Sequence, residues 1–348
     1  MLWTFCDNFD GVARGADPDT ADGPLSVGSF SLRDMGNSDT VLDWLLDGDP
    51  AIRWQVLRDL VQAPPEDVAT ERSRVATEGW GAALLALQDP DGRWDGGTYR
   101  PGWVDDSRPF FDAWTSTHFT LAMLRDLGLD PDAAAAREAV RRVSGQVRWD
   151  AGQQYFDGET EPCINGIALA VGAYFGQDVG RIVDTILSGQ LPDGGWNCWA
   201  DYGARVSSFH STMCVVDGLR EAERSGIAND EAAHARWRGE EYLLRRKLFR
   251  RLSDDAVVDP RFTLFSFPTR WYYDVLWALD YVRASGAAPD PRCEEAIDLV
   301  RSKAEDGRWP LENTHQGPTL IEMEGPDGFP SRWNTLRALR VLAWWDGA

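Results

Sequence analysis

The chain is poor in basic residues, and this shortage excludes several kinds of partner. Its 348 residues include 35 Lys and Arg against 56 Asp and Glu, a formal net charge of −21. Nucleic acids and anionic membranes bind surfaces that are rich in Lys and Arg. The composition therefore argues against both as the main partner, and a phosphate-bearing substrate would require a local group of basic residues.

Long apolar segments are absent as well. No run of about 18 apolar residues marks a membrane span, and the first residues, MLWTFCDNFDGVARG, lack the segments of a signal peptide. The five cysteines are an odd, scattered set, which favours free thiols or metal ligands over a disulfide framework. These features predict a cytoplasmic protein that acts on a small molecule.

The spacing of apolar residues predicts an all-α fold. Residues 1–38 are rich in Gly, Asp and Ser without periodicity, so we expect a flexible leader there. Residues 39–348 carry apolar residues at i, i+3 and i+4, and charged helices alternate with helices that are apolar nearly all round. This alternation predicts one domain of five to six helical hairpins, closed as an α/α toroid around a cavity lined by Trp and Phe.

A tryptophan recurs in the loops that join outer to inner helices. Trp94 lies in LQDPDGRWDGG and Trp196 in GQLPDGGWNCW, and Trp149 and Trp309 occupy similar loops. The four are 55, 47 and 113 residues apart, and 113 is close to two repeats, so the repeat near residues 254–262 has lost its tryptophan. In a ring, these loops all lie at the end where the inner helices begin, and we expect the chemistry there.

These QxxDGGW-type loops resemble the QW repeats of the squalene/terpene cyclase and protein prenyltransferase superfamily. The resemblance covers most of residues 39–348 and implies an α/α toroid in which the Gln caps a helix end and the Trp stacks on it. It also implies an enzyme that acts on an apolar, isoprenoid-like small molecule. The DxDD motif that donates the proton in class II terpene cyclases is absent from the sequence, which argues against proton-initiated cyclisation of a polyene.

Two cysteines and a histidine are predicted to meet at this end of the ring. Trp149 to Cys163 and Trp196 to His210 are both 14 residues, so Cys163 and His210 begin adjacent inner helices, and Cys198 lies in the loop before His210. Cys and His donors select zinc, and three protein ligands with an open position are typical of a catalytic site. The alternative is that all three are buried structural residues.

The surrounding residues add a resemblance to known zinc sites. TEPC and SSFHST resemble the zinc-binding D-x-C and F-Y-H-T segments of protein prenyltransferase β subunits, which implies Glu161 as a further ligand beside Cys163 and His210. The Cys, Cys, His set is similar to that of the lanthionine synthetase cyclases. In both families zinc turns a thiol substrate into a thiolate nucleophile.

Four similar segments, DAWTST, SSFHST, TRWYYD and SRWNTL, mark starts of inner helices. We expect them to supply substrate-binding residues at the cavity mouth: Trp114, Thr115, Phe209, Arg270, Trp271, Tyr272, Arg332, Trp333 and Asn334. Arg270, Arg332 and Arg337 are the candidates to bind an anionic group of the substrate.

Asp112, Asp274 and His118 are the candidate acid–base catalysts. Each Asp lies beside aromatic residues, where desolvation would raise the carboxyl pKa and suit a general acid, and His118 follows Thr115 by one turn. The alternative for each Asp is an N-cap or an ion pair with Arg270 or Arg332. Three hypotheses follow: zinc-assisted activation of a thiol or water, metal-free acid catalysis by an Asp in a cyclase or isomerase, and a non-catalytic toroid that binds a ligand.

Overall fold

A computed structural model describes residues 38–105 and 113–347 of the chain. Its helices are α1 (Ser38–Leu46), α2 (Pro50–Val56), α3 (Pro65–Ser73), α4 (Gly79–Ala86), α5 (Thr117–Asp126), α6 (Ala134–Gln146), α7 (Pro162–Tyr174), α8 (Gly180–Ser188), α9 (Phe209–Arg224), α10 (Asp230–Leu244), α11 (Val275–Ala284), α12 (Glu294–Ser302) and α13 (Arg332–Asp346). Two short antiparallel strands, β1 (Trp309–Pro310) and β2 (Pro330–Ser331), precede α13. The all-α prediction is confirmed for these residues. The predicted leader, apart from residue 38, and Asp112 lie outside them.

Two segments predicted as single helices are divided by local chain chemistry. Residues 41–62 split at Asp49, whose side chain accepts hydrogen bonds from the backbone N–H of Ala51 at 2.9 Å and of Trp80 at 2.8 Å. Asp49 therefore caps the start of α2 and also contacts the start of α4, which stabilises a break between α1 and α2 rather than one continuous helix. The sequence EEYLLRRKLFRRL, residues 240–252, also predicts one helix, and this prediction was wrong in its position, because α10 ends at Leu244 and the chain then takes positive φ angles at residues 247 and 248.

The helices differ in how much of their surface is buried. In α7 the eleven residues from Cys163 to Ala173 are all buried, whereas α6, α8, α10 and α12 each bury one face. We call α2, α5, α7, α9, α11 and α13 the inner helices and α4, α6, α8, α10 and α12 the outer helices. An inner helix follows each outer one, as the alternation of apolar and charged segments predicts.

Glycines allow two inner helices, α7 and α9, to pack with their backbones in contact. A Cβ on Gly166 of α7 would lie 2.4 Å from the carbonyl carbon and oxygen of Cys214, and a Cβ on Gly218 of α9 would lie 2.4 Å from the carbonyl oxygen of Gly166. Any side chain at these positions would separate the helices. The absence of a side chain is thus what fixes the distance between the two helices that lead to Cys163 and His210.

The recurring tryptophans join outer helices to inner ones. The indole N–H groups of Trp94, Trp196 and Trp309 each donate to an outer-helix carbonyl at 2.7 Å. Their backbone N–H groups donate to a threonine hydroxyl in the first turn or two of the next inner helix, at 3.0 to 3.2 Å. All three indoles are fully buried. The repeat loop is therefore a structural joint, which satisfies each buried polar group of the tryptophan.

The glutamines of these loops reach the next outer helix. The Gln88 amide donates to the carbonyls of Gly92 and Ala139, and the Gln190 amide donates to those of Gly194 and Ala235. Each glutamine thus closes its own loop and ties it to the following hairpin. Among the residues that the structure describes, no helix combines the length and apolar character needed to cross a membrane.

Candidate functional site

Three potential metal ligands converge at the start of α7. The ligand atoms of Glu161, Cys163 and Cys198 all lie within 4.8 Å of one another, and the two sulfur atoms are 2.8 Å apart. Glu161 precedes the first turn of α7, Cys163 lies in that turn, and Cys198 belongs to the loop between α8 and α9. Both cysteines are buried, with 3% and 6% of their surface exposed.

A rigid turn before α7 positions Glu161 and Cys163. The buried Asn165 side chain accepts a hydrogen bond from the Glu159 N–H at 2.7 Å and donates to the Glu159 carbonyl at 2.5 Å. The Glu159 carboxylate in turn accepts from the Glu161 N–H at 2.8 Å. Gly158 enters this turn with φ of 86°, a conformation that favours glycine. Both ligands are therefore held by backbone contacts that do not depend on a metal.

The loop that carries Cys198 is closed by its neighbour and by α9. Asn197 donates to the Val206 carbonyl at 2.8 Å and accepts from the Trp199 N–H at 2.9 Å, so the segment between them forms a closed loop. The Ser211 hydroxyl of α9 lies 3.2 Å from the Cys198 sulfur and accepts from the Cys198 N–H at 3.3 Å. The position of Cys198 thus depends on how α9 packs against α7.

The donor set suits zinc. Two thiolates and a carboxylate are ligands that zinc accepts, and three protein ligands leave one position of a tetrahedron for water or substrate. Thiolates on one tetrahedral zinc lie about 3.7 Å apart, so the sulfur atoms would have to separate by about 1 Å from their 2.8 Å contact. A cavity of about 260 Å³ beside the site, lined by Glu161, Cys198, Glu159 and Asp201 among others, adds negative charge that favours a cation.

His210 does not join these three ligands. Its Nδ1 accepts a hydrogen bond of 2.8 Å from the Tyr273 N–H, and its ring packs against Phe262, Trp271 and Tyr272. Burial and then the Arg261 cation lower the pKa of His210 to about 4, so the ring is neutral at pH 7. In a neutral ring whose Nδ1 accepts, the proton is on Nε2. Neither nitrogen of His210 therefore offers a lone pair to a metal in this arrangement.

His118 lies in the core. Its Nδ1 is 3.0 Å from the Tyr155 hydroxyl, and the ring is surrounded by Tyr99, Phe119 and Trp149 with no exposed surface. Burial lowers the pKa of His118 to about 3 and raises that of Tyr155 far above its ordinary value. A neutral pair without access to solvent is a packing element rather than an acid–base catalyst.

Asp274 caps a helix. Its carboxylate accepts from the Trp277 N–H at 2.7 Å at the start of α11, and from the hydroxyl and N–H of Ser266 at 2.8 and 3.2 Å. Arg337 lies 3.7 Å away, and 1% of the Asp274 side chain is exposed. These contacts match the N-cap alternative and occupy the lone pairs that a catalytic role would need.

Most of the expected substrate-binding residues fill the spaces between helices. Trp114, Thr115, Phe209, Trp271, Tyr272, Arg332 and Asn334 do not line the large central cavity, whereas Arg270 and Trp333 do. The Trp114 indole donates to the Gln316 carbonyl at 2.7 Å, and Arg332 donates to the Trp44 carbonyl at 3.1 Å and covers the Trp44 ring. The indole N–H of Trp114 and the guanidinium of Arg332 are thus engaged in hydrogen bonds to loop and helix carbonyls.

The central cavity itself is charged. It measures about 490 Å³, is bordered by parts of all six inner helices and by the loop that carries Arg270, and is lined by nine arginines and five acidic residues. The cavity expected from the sequence is lined by Trp and Phe, and Trp54, Phe267, Trp277 and Trp333 do line this one, but charged side chains outnumber them. The signal was present as LRDL at residues 57–60 and 124–127 and as D-x-x-R at 217–220 and 280–283, which place similar charges at one level of four inner helices.

No family model matches the chain, and no curated protein is similar to it.

Proposed function

We propose that the chain is an α/α-toroid enzyme that uses a zinc ion on Glu161, Cys163 and Cys198 to activate a water or a thiol. The observation that carries this proposal is the convergence of these three ligand atoms within 4.8 Å, at the point where a loop and an inner helix meet. When bound, zinc would lower the pKa of a water or thiol in its fourth position.

Contacts between successive inner helices support ring closure. Trp54 and Gln55 of α2 donate to carbonyls at the end of α5, and Arg220 of α9 covers the Tyr281 ring of α11. Arg340 of α13 pairs at 2.6 Å with Asp59, which follows α2. With the direct packing of α5 on α7, α7 on α9 and α11 on α13, these contacts link each inner helix to the next and the last to the first.

The side chains favour a polar rather than an isoprenoid-like substrate. The cavity beside the ligands carries Glu159 and Asp201, and the central cavity carries fourteen charged side chains. An apolar chain in either place would desolvate charged groups without compensating them. We therefore propose that the metal-assisted reaction acts on a polar substrate, and not on the apolar substrate that the resemblance implies.

Metal content separates this proposal from its alternatives. We expect about one zinc per chain in the full-length protein, lost in Cys163→Ser and in Cys198→Ser. Since its nitrogens are engaged elsewhere, His210→Gln should keep the metal; its loss together with the cysteine variants would restore the Cys, Cys, His set instead. Cys214→Ser is the matched control, because Cys214 is a buried cysteine outside the cluster.

A count of thiols in the unfolded chain completes this test. Five titratable thiols after metal release are expected from the five cysteines. Wild-type protein without metal and with three thiols would show that one disulfide forms, and if Cys163→Ser then has four thiols, Cys163 belongs to that disulfide and the proposal fails. If the wild-type protein does contain zinc, hydrolysis of 4-nitrophenyl acetate tests what the zinc activates. Zinc-dependent hydrolysis over many turnovers that is absent in Cys163→Ser would support activation of water.

A further inference from the structure

The central cavity concentrates positive charge inside a strongly acidic protein. Its lining has four more arginines than acidic residues, whereas the whole chain carries a net charge of −21. Positive groups that line a concave site with low-dielectric walls focus the field on its contents. The cavity therefore has the opposite electrostatic character from the surface of the molecule.

The acidic residues of the lining are already paired with arginines. Asp217 bridges Arg125 at 2.9 Å and Arg220 at 3.1 Å, and although burial opposes it, these two cations lower the pKa of Asp217. Asp59 similarly pairs with Arg340 at 2.6 Å. Each of these two carboxylates is shared by two arginines, so the pairs neutralise only part of the lining and leave positive charge in surplus.

Arg270 is the clearest of these surplus cations. Among the described residues it has neither a hydrogen-bond nor an ion-pair partner, and its guanidinium lies 5.5 Å from the centre of the Trp114 ring. Burial lowers its pKa to about 9, which still leaves it charged at pH 7. Its backbone φ of 58° is a strained conformation for a non-glycine residue, of the kind that persists where a side chain must point in a particular direction.

Arg337 and Trp333 of α13 add donors without acceptors. Both residues line the cavity and are 5% and 2% exposed, and within the described residues neither Nη2 of Arg337 nor Nε1 of Trp333 has a hydrogen-bond partner. The Asp274 carboxylate lies 3.7 Å from this Nη2, which balances part of its charge but is beyond hydrogen-bond distance. Nη1 of Arg337 donates to the Ser266 carbonyl at 3.0 Å, and Phe267 stacks on Trp333 at 4.3 Å. The segment that leads to Arg270 is thereby held against α13, so the three groups belong to one region of the cavity.

The unpartnered groups share one chemical character. Every buried side-chain atom of the cavity lining that lacks a partner within the described part of the chain is an N–H donor. Native proteins satisfy nearly all buried polar groups, so such a set calls for a ligand that accepts hydrogen bonds. Arginine forks match the planar geometry of carboxylates and the oxygens of phosphates.

We propose that the central cavity binds a small organic anion through its phosphate or carboxylate groups, with Arg270 and Arg337 as the anchoring residues and Trp333 as a further donor. A volume of about 490 Å³ is in the range of small-molecule sites. The site is distinct from the Glu161, Cys163 and Cys198 cluster, and it does not depend on the metal proposed there.

Calorimetric titration of the full-length protein with inorganic diphosphate and with citrate tests this inference. At low ionic strength at least one probe should bind, and Arg270→Gln and Arg337→Gln should each weaken binding by tenfold or more. Arg137→Gln is the charge-matched control, because Arg137 is an exposed α6 residue whose one ion-pair partner in the described part of the chain is Asp132, and it should bind as wild type does. Binding of diphosphate alone would identify a phosphate ligand, and binding of citrate alone a carboxylate ligand.

Arg270→Gln keeps the test valid even if Arg337→Gln unfolds, because within the described part of the chain Arg270 makes no hydrogen bond or ion pair that its replacement would break. Repeating the titration with Cys163→Ser separates this site from the metal cluster, and equal affinity there is expected. The inference is overturned if neither probe binds wild-type protein, or if both bind Arg270→Gln as tightly as wild type.

Discussion

Replacement of Gly166 by alanine should unfold the protein at lower denaturant concentration, because α7 and α9 touch through their backbones at this residue. The new Cβ would lie 2.4 Å from the Cys214 carbonyl and 2.7 Å from the Val215 nitrogen, where ordinary contact begins at 3.4 Å. Backbone atoms cannot rotate away as a side chain can. The helices must therefore separate by about 1 Å, which is of the size that costs about 1–3 kcal/mol in a packed core.

The higher helix propensity of alanine offsets part of this cost, by up to about 1 kcal/mol. Because backbone atoms on both helices are involved, we expect the clash to cost about 3 kcal/mol, the upper end of the range of about 1–3 kcal/mol. After subtraction of the gain in helix propensity, the free energy of unfolding should fall by about 2 kcal/mol. The same movement would displace Cys163, one turn earlier in α7, from Cys198, which contacts Ser211 of α9. We therefore expect Gly166→Ala to bind the metal more weakly as well as to be less stable.

Gly145→Ala in α6 is the matched control, because a Cβ there meets nothing within 4 Å. This variant should gain a few tenths to about 1 kcal/mol through propensity alone. Urea unfolding followed by tryptophan fluorescence and by circular dichroism measures both variants. If Gly166→Ala proves as stable as Gly145→Ala, the backbone contact between α7 and α9 does not exist and this reasoning is refuted.

Three further changes test other parts of the structure. Trp196→Phe removes a buried indole hydrogen bond and should cost about 1–3 kcal/mol of unfolding free energy, whereas Trp237→Phe, at a side chain 54% exposed, should change it by less than about 0.5 kcal/mol; equal effects would contradict the joint. Asp274→Ala should cost about 1–2 kcal/mol in urea unfolding, and Asp274→Asn less, because Asn also caps helices; a larger loss in Asn would argue against the cap. Because burial lowers the pKa of His118 to about 3, the unfolded chain binds a proton that the folded one does not as pH falls below about 6.5. The stability of wild type relative to His118→Gln should therefore fall by up to about 1.4 kcal/mol per pH unit between about pH 6.5 and 4.5, and a constant difference would show that His118 is not held neutral.

Local sequence signals account for the helices and the tryptophan joints. Each depends on residues close in the chain: apolar positions at i, i+3 and i+4, or a Gln and a Trp in one loop. The equal 14-residue spacings that predicted Cys163 and His210 at one level also rest on this repetition. Cys163 and Cys198, which were predicted to meet at one end of adjacent hairpins, have their sulfur atoms 2.8 Å apart.

Contacts between distant segments decided what local signals could not. His210 is turned away from the cysteines by a backbone N–H from residue 273, 63 positions along the chain. A helix cap, Asp274, resembles a desolvated catalytic acid in sequence because both occur at a helix start beside aromatic residues. Arginine and aspartate at helical spacing are equally common on solvated faces, so the charged cavity is not distinguishable from a surface by pattern alone.

The sequence by itself determined that the chain folds as paired helices with buried tryptophan joints, since propensity and periodicity act over a few residues. Only the tertiary structure decided which polar groups face one another. Arg270 of a loop and Arg337 of α13 share a cavity, and Glu161 joins two cysteines 35 residues apart from each other. Such placements depend on the packing distance between helices, which at α7 and α9 is set by the glycines that permit backbone contact.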